Sequence, residues 1–167
     1  KGGSDREFLA DARKIKNLCR KKKIIFLVNN RLDIVQISGA DGLHLGQSDL
    51  PLAEARKILG KSKIIGISCR SLKQAKEAES QGADYIAIGP VFPSLTKPGR
   101  TQIKPGLIKS IITRVKIPLF VIGGINYSNI NKLISYGAKR FAVCRAVCRG
   151  KNIQKSARAL RGVIYKA

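Results

Sequence analysis

The chain repeats one phrase three times: GADGLHL at residues 39–45, GADYIAI at residues 82–88 and GAKRFAV at residues 137–143. In each copy a glycine stands where a helix would end, and a short, mostly apolar run follows directly. The repeat therefore predicts a helix-to-strand unit copied along the chain. Short runs that are apolar on both faces are typical of parallel strands covered by helices.

Apolar, β-branched runs alternate with amphipathic stretches over the whole length. The predicted strands are 24–28, 42–45, 64–67, 85–88, 119–122 and 140–143. The predicted helices are 5–21, 32–37, 52–59, 72–81, 106–113, 128–136 and 153–165. This order predicts an α/β protein built on a parallel sheet.

The residues that follow the strands decide between an open doubly wound sheet and a barrel. No glycine-rich dinucleotide fingerprint follows any strand, and small or polar residues follow every strand. Both features favour a (β/α)8 TIM barrel, in which the strand ends build one functional face. Six strands are two short of a closed barrel. Residues 1–167 are therefore interpreted as a single TIM-barrel domain that is N-terminally incomplete, with its first two strands missing.

Charge is distributed unevenly along the chain. There are 33 Lys and Arg against 10 Asp and Glu, which gives a net charge of +23. All ten acids lie within residues 1–84, whereas residues 85–167 contain 16 Lys and Arg and no acid. The excess favours anionic partners, either phosphorylated small molecules or nucleic acid. With 5% aromatic residues and no nucleic-acid motif, a specific nucleic-acid partner is not predicted.

Composition excludes two further classes. A hydrophobic fraction of 44% is too high for a disordered chain, and no apolar run approaches the roughly 18 residues of a membrane span. No membrane partner is therefore predicted. The four cysteines lack paired CxxC spacing, and no leader is recognised, so a cytoplasmic location is expected. An oligomer is compatible with these features.

Two strand ends in the second half are candidate phosphate contacts. Gly123 and Gly124 follow an apolar strand, and glycines there let backbone amides approach an anion. Arg145 follows the last strand and could bind the same phosphate. A plain turn at the glycine pair, and a solvated Arg145, are the alternatives. The long loop at residues 89–99 adds Ser94, Thr96 and Lys97 as donors.

Asn30 and Asp49 form a candidate magnesium environment in the first half, with Asn29 beside them. Magnesium commonly uses one or two carboxylates and leaves its other positions to water and substrate phosphates. The alternative for Asp49 is a cap of the helix that follows it. His44 is the sole histidine, so an imidazole pair is excluded, and packing within its strand is the interpretation.

Four stretches together resemble thiamine-phosphate synthase. They are VNNRLD at residues 28–33, GADGLHLGQSDL at 39–50, GPVFPSLTK at 89–97 and IGGI at 122–125. The resemblance implies a TIM barrel and a transferase of thiamine biosynthesis. Its substrates would be 4-amino-2-methyl-5-(diphosphooxymethyl)pyrimidine and 4-methyl-5-(2-phosphooxyethyl)thiazole. Its products would be thiamine phosphate and pyrophosphate, and its cofactor would be Mg²⁺.

Site residues follow from the resemblance position by position. Lys97 and Ser68 would be catalytic. The pyrimidine pyrophosphate would contact Lys1, Asn29, Ser68 and Lys97. The thiazole phosphate would contact Ser94, Leu95, Thr96, Gly124, Cys144 and Arg145. Asp49 and Asn30 would hold the metal.

One departure from the family pattern affects this interpretation. Asn30 stands where the family usually has aspartate, so one magnesium carboxylate is lost. A non-catalytic or regulatory phosphate-binding paralogue is therefore an alternative. The related thiazole tautomerase is another, although Pro90 stands where that family has a histidine, which argues against it.

Overall fold

The structure is a computed structural model that describes residues 3–93, 99 and 101–165. The chain divides into two compact units. Unit 1 comprises Lys1–Ser68 with Ser80–Asp84, and unit 2 comprises Cys69–Glu79 with Tyr85–Ala167. Among the helices of the described part, none has the length and apolar character needed to cross a membrane.

Strands and helices alternate through the described residues. The strands are β1 Leu27–Asn29, β2 Gly42–Leu45, β3 Ile64–Cys69, β4 Tyr85–Ile88, β5 Leu119–Ile122 and β6 Phe141–Ala142. The helices are α1 Asp5–Lys21, α2 Leu32–Ser38, α3 Leu52–Leu59, α4 Leu72–Ser80, α5 Pro105–Arg114, α6 Ile130–Ile134, α7 Arg145–Cys148 and α8 Ile153–Tyr165.

Unit 1 contains a parallel sheet in which β2 lies between β1 and β3. The register places Asn29 opposite His44, and His44 opposite Gly66. Leu43 and Leu45 of β2 are fully buried, as is Val35 of α2. Burial on both faces explains why these strands show no alternation of polar and apolar residues.

In unit 2 the strands are also parallel, and β5 lies between β4 and β6. Its core includes Ile86, Ile88 and Val121 from the strands. The rings of Tyr85 and Phe120 meet edge to face, with centroids 5.2 Å apart. As in unit 1, apolar residues at successive strand positions are buried.

Three predicted strands, 42–45, 85–88 and 119–122, have the same bounds in the structure, as do the helices predicted at 5–21, 52–59 and 153–165. The predicted start of the first strand was wrong. The N–H of Ile24 donates to the carbonyl of Cys19 at 2.9 Å, and Lys23 has a φ of 54°. Residues 22–24 therefore close α1, and the strand begins only at Leu27.

Other bounds also differ from the prediction. The strands predicted at 64–67 and 140–143 are Ile64–Cys69 and Phe141–Ala142, and the helices predicted at 32–37, 72–81 and 106–113 are Leu32–Ser38, Leu72–Ser80 and Pro105–Arg114. The helix predicted at 128–136 is α6, which covers only Ile130–Ile134. The side chain of Asn126 accepts hydrogen bonds from the N–H and hydroxyl of Ser128, so the first residues form a turn instead. The short helix α7 was not predicted. It follows a β6 of only two residues.

The repeated phrase has a defined structural role. Its glycines, Gly39, Gly82 and Gly137, have φ values of 67°, 83° and 89°, which terminate the preceding helices as predicted. In the first two copies the aspartate also bonds to a backbone amide near the preceding strand. Asp41 Oδ2 accepts from the N–H of Phe26 at 2.8 Å, and Asp84 Oδ2 accepts from the N–H of Ile65 at 2.7 Å. We call these two contacts the carboxylate links.

The third copy of the phrase has no carboxylate link. Lys139 replaces the aspartate, so the position has no acceptor to offer. A backbone bond from the N–H of Val121 to the carbonyl of Arg140 joins the same region. The phrase therefore holds three strands in register by two different means.

The carboxylate link at Asp41 is expected to make stability depend on acid pH. Burial raises the pKa of Asp41, but hydrogen bonds from Lys16 and from the Phe26 N–H, with the charges of Lys16 and Lys63, outweigh it and lower that pKa overall. A lowered folded-state pKa stabilises the protein above the unfolded value, about 3.9, and the contribution is lost as pH falls through the folded value.

Replacing Asp41 with asparagine should therefore reduce stability at neutral pH and flatten its decline in acid. Urea unfolding between about pH 2 and about pH 6 measures both effects. The control is Asp11→Asn, because Asp11 lies in an exposed pair with Lys14 at 3.8 Å. A decline equally steep in the Asp41 variant and the parent would contradict this account.

Candidate functional site

The end of β1 places Asn29 and Asn30 at the surface of unit 1. Asn30 has a φ of 64°, in the left-handed region that asparagine and aspartate enter more readily than other side chains. Its N–H donates to the carbonyl of His44 at 2.9 Å, which extends the β1–β2 pairing by one bond. The hydrogen bond of its N–H and its left-handed conformation thus fix the position of Asn30.

Asp49 lies in the loop that follows β2. Its Oδ2 accepts a hydrogen bond from the N–H of Gly46 at 2.5 Å, and the residue is half-buried. The next helix has Pro51 as its N-cap, with no side-chain capping bond. The alternative of a helix cap at Asp49 is therefore not supported. Among the described residues, Asp49 Oδ1 has no hydrogen-bond partner.

Ser68 is the next-to-last residue of β3 and is held by two side chains. Its Oγ lies 2.9 Å from Nε2 of His44, and its carbonyl accepts from Nε2 of Gln47 at 2.8 Å. His44 is half-buried, so it packs in its strand as predicted. Its polar contact with Ser68, and the role of Gln47, were not predicted.

A signal for the His44–Ser68 contact was present in the sequence. In a parallel pair, residues two apart on one strand share a face of the sheet. His44 is opposite Gly66, and Ser68 lies two residues beyond Gly66. Aligning the two strands by their apolar runs, ending at Leu45 and Ile67, would have brought His44 and Ser68 onto one face.

Two side chains of unit 1 carry oxygen atoms of the kind that magnesium binds. Asp49 offers one carboxylate oxygen, and Asn30 offers an amide oxygen. Within the described ranges, no group of three or more His, Cys, Asp or Glu side chains is close enough to hold a metal. Magnesium, which keeps several waters and shares substrate phosphates, fits such a poor site better than a metal that needs a full protein cage.

Close backbone packing surrounds Gly123 and Gly124 in unit 2. A Cβ on Gly123 would lie 2.5 Å from Pro90 Cα, and one on Gly124 would lie 2.5 Å from the carbonyl oxygen of Pro93. The N–H of Phe92 donates to the carbonyl of Gly123 at 3.2 Å. The close approach of residues 90–93 thus explains why both positions are glycine.

Cys144 and Arg145 follow β6 at the start of α7. Cys144 is exposed and offers no capping bond to the helix, while Arg145 is half-buried. Within residues 3–93, 99 and 101–165, no carboxylate pairs with Arg145. The guanidinium is therefore available to an anion.

Five of the predicted site residues lie outside the described residues. They are Lys1, Ser94, Leu95, Thr96 and Lys97. The structure brings Asn30 next to His44, and His44 next to Ser68, within unit 1. In unit 2 it brings Gly124 against the first residues of the 89–99 loop.

The sequence model of the family described as thiamine monophosphate synthase (TMP-TENI) matches residues 1–147. The chain belongs to this family. It is 46% identical over 143 residues to a thiamine-phosphate synthase of Prochlorococcus marinus (strain MED4), covering 86% of this chain and 41% of that protein. It is 46% identical over 153 residues to a thiamine-phosphate synthase of Chlorobium limicola, covering 91% of this chain and 73% of that protein.

Solved structures agree with this family assignment. A thiamine phosphate pyrophosphorylase from Pyrococcus furiosus matches with a TM-score of 0.90 and 34% identity, over 99% of this chain and 80% of that one. A 3-hexulose-6-phosphate synthase, at 19% identity and a TM-score of 0.69, shares the fold alone. The predicted TIM-barrel-like α/β class is confirmed. The chain spans 41–47% of the length of three Prochlorococcus relatives, about half.

Proposed function

We propose that the protein acts as a thiamine-phosphate synthase, a magnesium-dependent transferase of thiamine biosynthesis. The observation that carries the proposal is the family match over residues 1–147, which includes every predicted site residue. The substrates would be the pyrimidine pyrophosphate and thiazole phosphate named above. The cytoplasmic location is proposed with the activity, and its support is the cysteine pattern of the sequence.

Unit 1 supplies the proposed contacts to the pyrimidine pyrophosphate. Asn29 and Ser68 would bind it, together with Lys1 and Lys97. The hydrogen bond to His44 fixes Ser68 Oγ, so the hydroxyl is oriented before substrate arrives. Asp49 and Asn30 would hold Mg²⁺, which when bound would neutralise charge on the pyrophosphate.

Unit 2 supplies the proposed contacts to the thiazole phosphate. Gly124 would offer its backbone N–H, and Arg145 would offer a charge-assisted hydrogen bond. Cys144 and residues 94–96 would complete this subsite. Since residues 85–167 contain no acid, the surroundings favour a phosphate electrostatically.

The proposed reaction moves charge onto a leaving group. The bond between the pyrimidine methyl carbon and the pyrophosphate oxygen breaks, and its electron pair leaves with pyrophosphate. The thiazole nitrogen then donates its lone pair to the methyl carbon. Lys97 and Ser68 would stabilise the departing oxygens, where hydrogen bonds to developing charge have the largest effect.

The test is formation of thiamine phosphate from the two substrates, followed by chromatography, with and without Mg²⁺. We expect product only when both substrates and Mg²⁺ are present, with one pyrophosphate released per product. Folded protein that makes no product, yet still binds the thiazole phosphate, would support the non-catalytic paralogue and contradict the proposal.

Restoring a carboxylate at position 30 should strengthen the metal site. Asn30→Asp is expected to lower the Mg²⁺ concentration for half-maximal rate by about 10-fold, because one carboxylate ligand is regained. The left-handed backbone accepts aspartate as readily as asparagine, so the fold should be unchanged. An unchanged magnesium dependence would place position 30 away from the metal.

A further inference from the structure

We propose that the outer face of α8 binds single-stranded nucleic acid without sequence preference. The face consists of Lys155, Arg158, Arg161, Gly162 and Tyr165. At 100° per residue these positions fall on one side of the helix, opposite the buried Leu160. We call it the α8 basic face. It lies outside the residues proposed for the synthase reaction.

In the part of the chain that the structure describes, the cations of the α8 basic face have no carboxylate partners. Among the described residues, no ion pair involves Lys155, Arg158 or Arg161, and residues 85–167 contain no acid at all. An acid three or four residues away on the same helix would pair with such cations. Here nothing within the helix neutralises them, so they remain available to an external polyanion.

An exposed aromatic ring lies among these cations. Tyr165 is 76% exposed, and the guanidinium of Arg161 lies 5.0 Å from the centre of its ring. A ring and a guanidinium at the surface offer flat faces on which unpaired bases can stack. Arg158, Arg161, Gly162 and Tyr165 together line a shallow, open depression of the surface.

Gly162 has no packing reason to be glycine. A Cβ at this position would meet nothing within 4 Å, although glycine in a helix interior costs about 1 kcal/mol relative to alanine. Because Gly162 has no side chain, the helix backbone beside Arg158 and Arg161 is open to a ligand. This is the feature that a solvated surface does not explain.

Single-stranded nucleic acid fits this surface better than an anionic membrane does. Membrane-binding helices insert an apolar face, whereas the apolar side of α8, around Leu160, is packed against its own unit. The outer face offers cations and one tyrosine. The phosphates of single-stranded nucleic acid can bind the cations, and its unpaired bases can stack on the tyrosine ring. In double-stranded DNA the bases are stacked on one another and cannot stack on the tyrosine.

The test is fluorescence anisotropy of a labelled oligouridylate of about 12 nucleotides with the full chain, between about 50 and 200 mM salt. The triple variant Lys155→Gln, Arg158→Gln, Arg161→Gln should bind at least about 10-fold more weakly. The slope of log affinity against log salt should become shallower by about 2 in this variant, because each of the three lost phosphate contacts contributes roughly 0.7 to the slope.

A matched control separates a local surface from overall charge. Lys61→Gln, Lys73→Gln, Lys76→Gln removes the same three charges from exposed positions elsewhere and should change affinity less than about 2-fold. Tyr165→Leu, which keeps every charge, should weaken binding about 10-fold. Equal losses in both triple variants would overturn the proposal, as would binding to phosphatidylserine vesicles without binding to oligouridylate.

Discussion

Replacing Asp49 with asparagine is expected to lower kcat/KM for thiamine phosphate formation about 100-fold, a loss typical of a metal ligand or a charge stabiliser. Asparagine can still accept the hydrogen bond from the Gly46 N–H, so the loop should keep its conformation. What is removed is the carboxylate charge. Steady-state rates over a range of Mg²⁺ concentrations measure the effect.

The control for this variant is Glu54→Gln. Glu54 lies on α3 in an exposed pair with Lys57 at 2.8 Å, so its loss removes one negative charge from the same region without touching the proposed metal. Its rate should stay within about 2-fold of the parent, since exposed ion pairs contribute little. If Asp49→Asn kept the parental rate and magnesium dependence, Asp49 would not be the metal ligand.

Replacing Gly123 with alanine is expected to destabilise the protein by about 3 kcal/mol or more. Two costs combine: a φ of 106°, which L-residues rarely adopt, and a Cβ that would lie 2.5 Å from both Cα and Cβ of Pro90. Backbone cannot move aside as a flexible side chain can. Thermal and urea unfolding measure the loss.

Gly162→Ala is the matched control, because it makes the same chemical change where a Cβ meets open space. Placed in the interior of α8, alanine should stabilise the protein by up to about 1 kcal/mol. The two substitutions should therefore move stability in opposite directions. A Gly123→Ala variant as stable as the parent would mean that the 89–93 loop can withdraw from the glycine pair.

The sequence predicted most of the fold because its local signals agree. At the ends of α1 and α3, periodicity and helix-ending residues coincide, and the structure has the predicted bounds. Predictions failed where a side chain or backbone bond competed with the pattern. Ile24 and Ile25 look like part of a strand in the sequence, but the N–H of Ile24 bonds back to α1, and the two residues are 58% and 63% exposed.

The site was less predictable from the sequence than the fold. Strand-end positions for Asn29, Asn30 and Ser68 followed from the strands themselves. The contact between His44 and Ser68 did not, because it depends on the register between β2 and β3. The left-handed backbone conformation of Asn30 could not be predicted from the sequence either. An asparagine there looks in sequence like a lost ligand, whereas its backbone fits aspartate and asparagine equally.

The carboxylate links have a consequence for where the chain opens first. The N–H groups of Phe26 and Ile65 each donate a hydrogen bond to an aspartate side chain. The third repeat has Lys139 at the corresponding position and depends on backbone hydrogen bonds around β6, a strand of only two residues. Amide hydrogens of the third repeat should therefore exchange with solvent sooner than those of Phe26 and Ile65. We therefore expect local opening to be easiest at the third copy of the repeat, where a lysine stands in place of the aspartate of the first two copies.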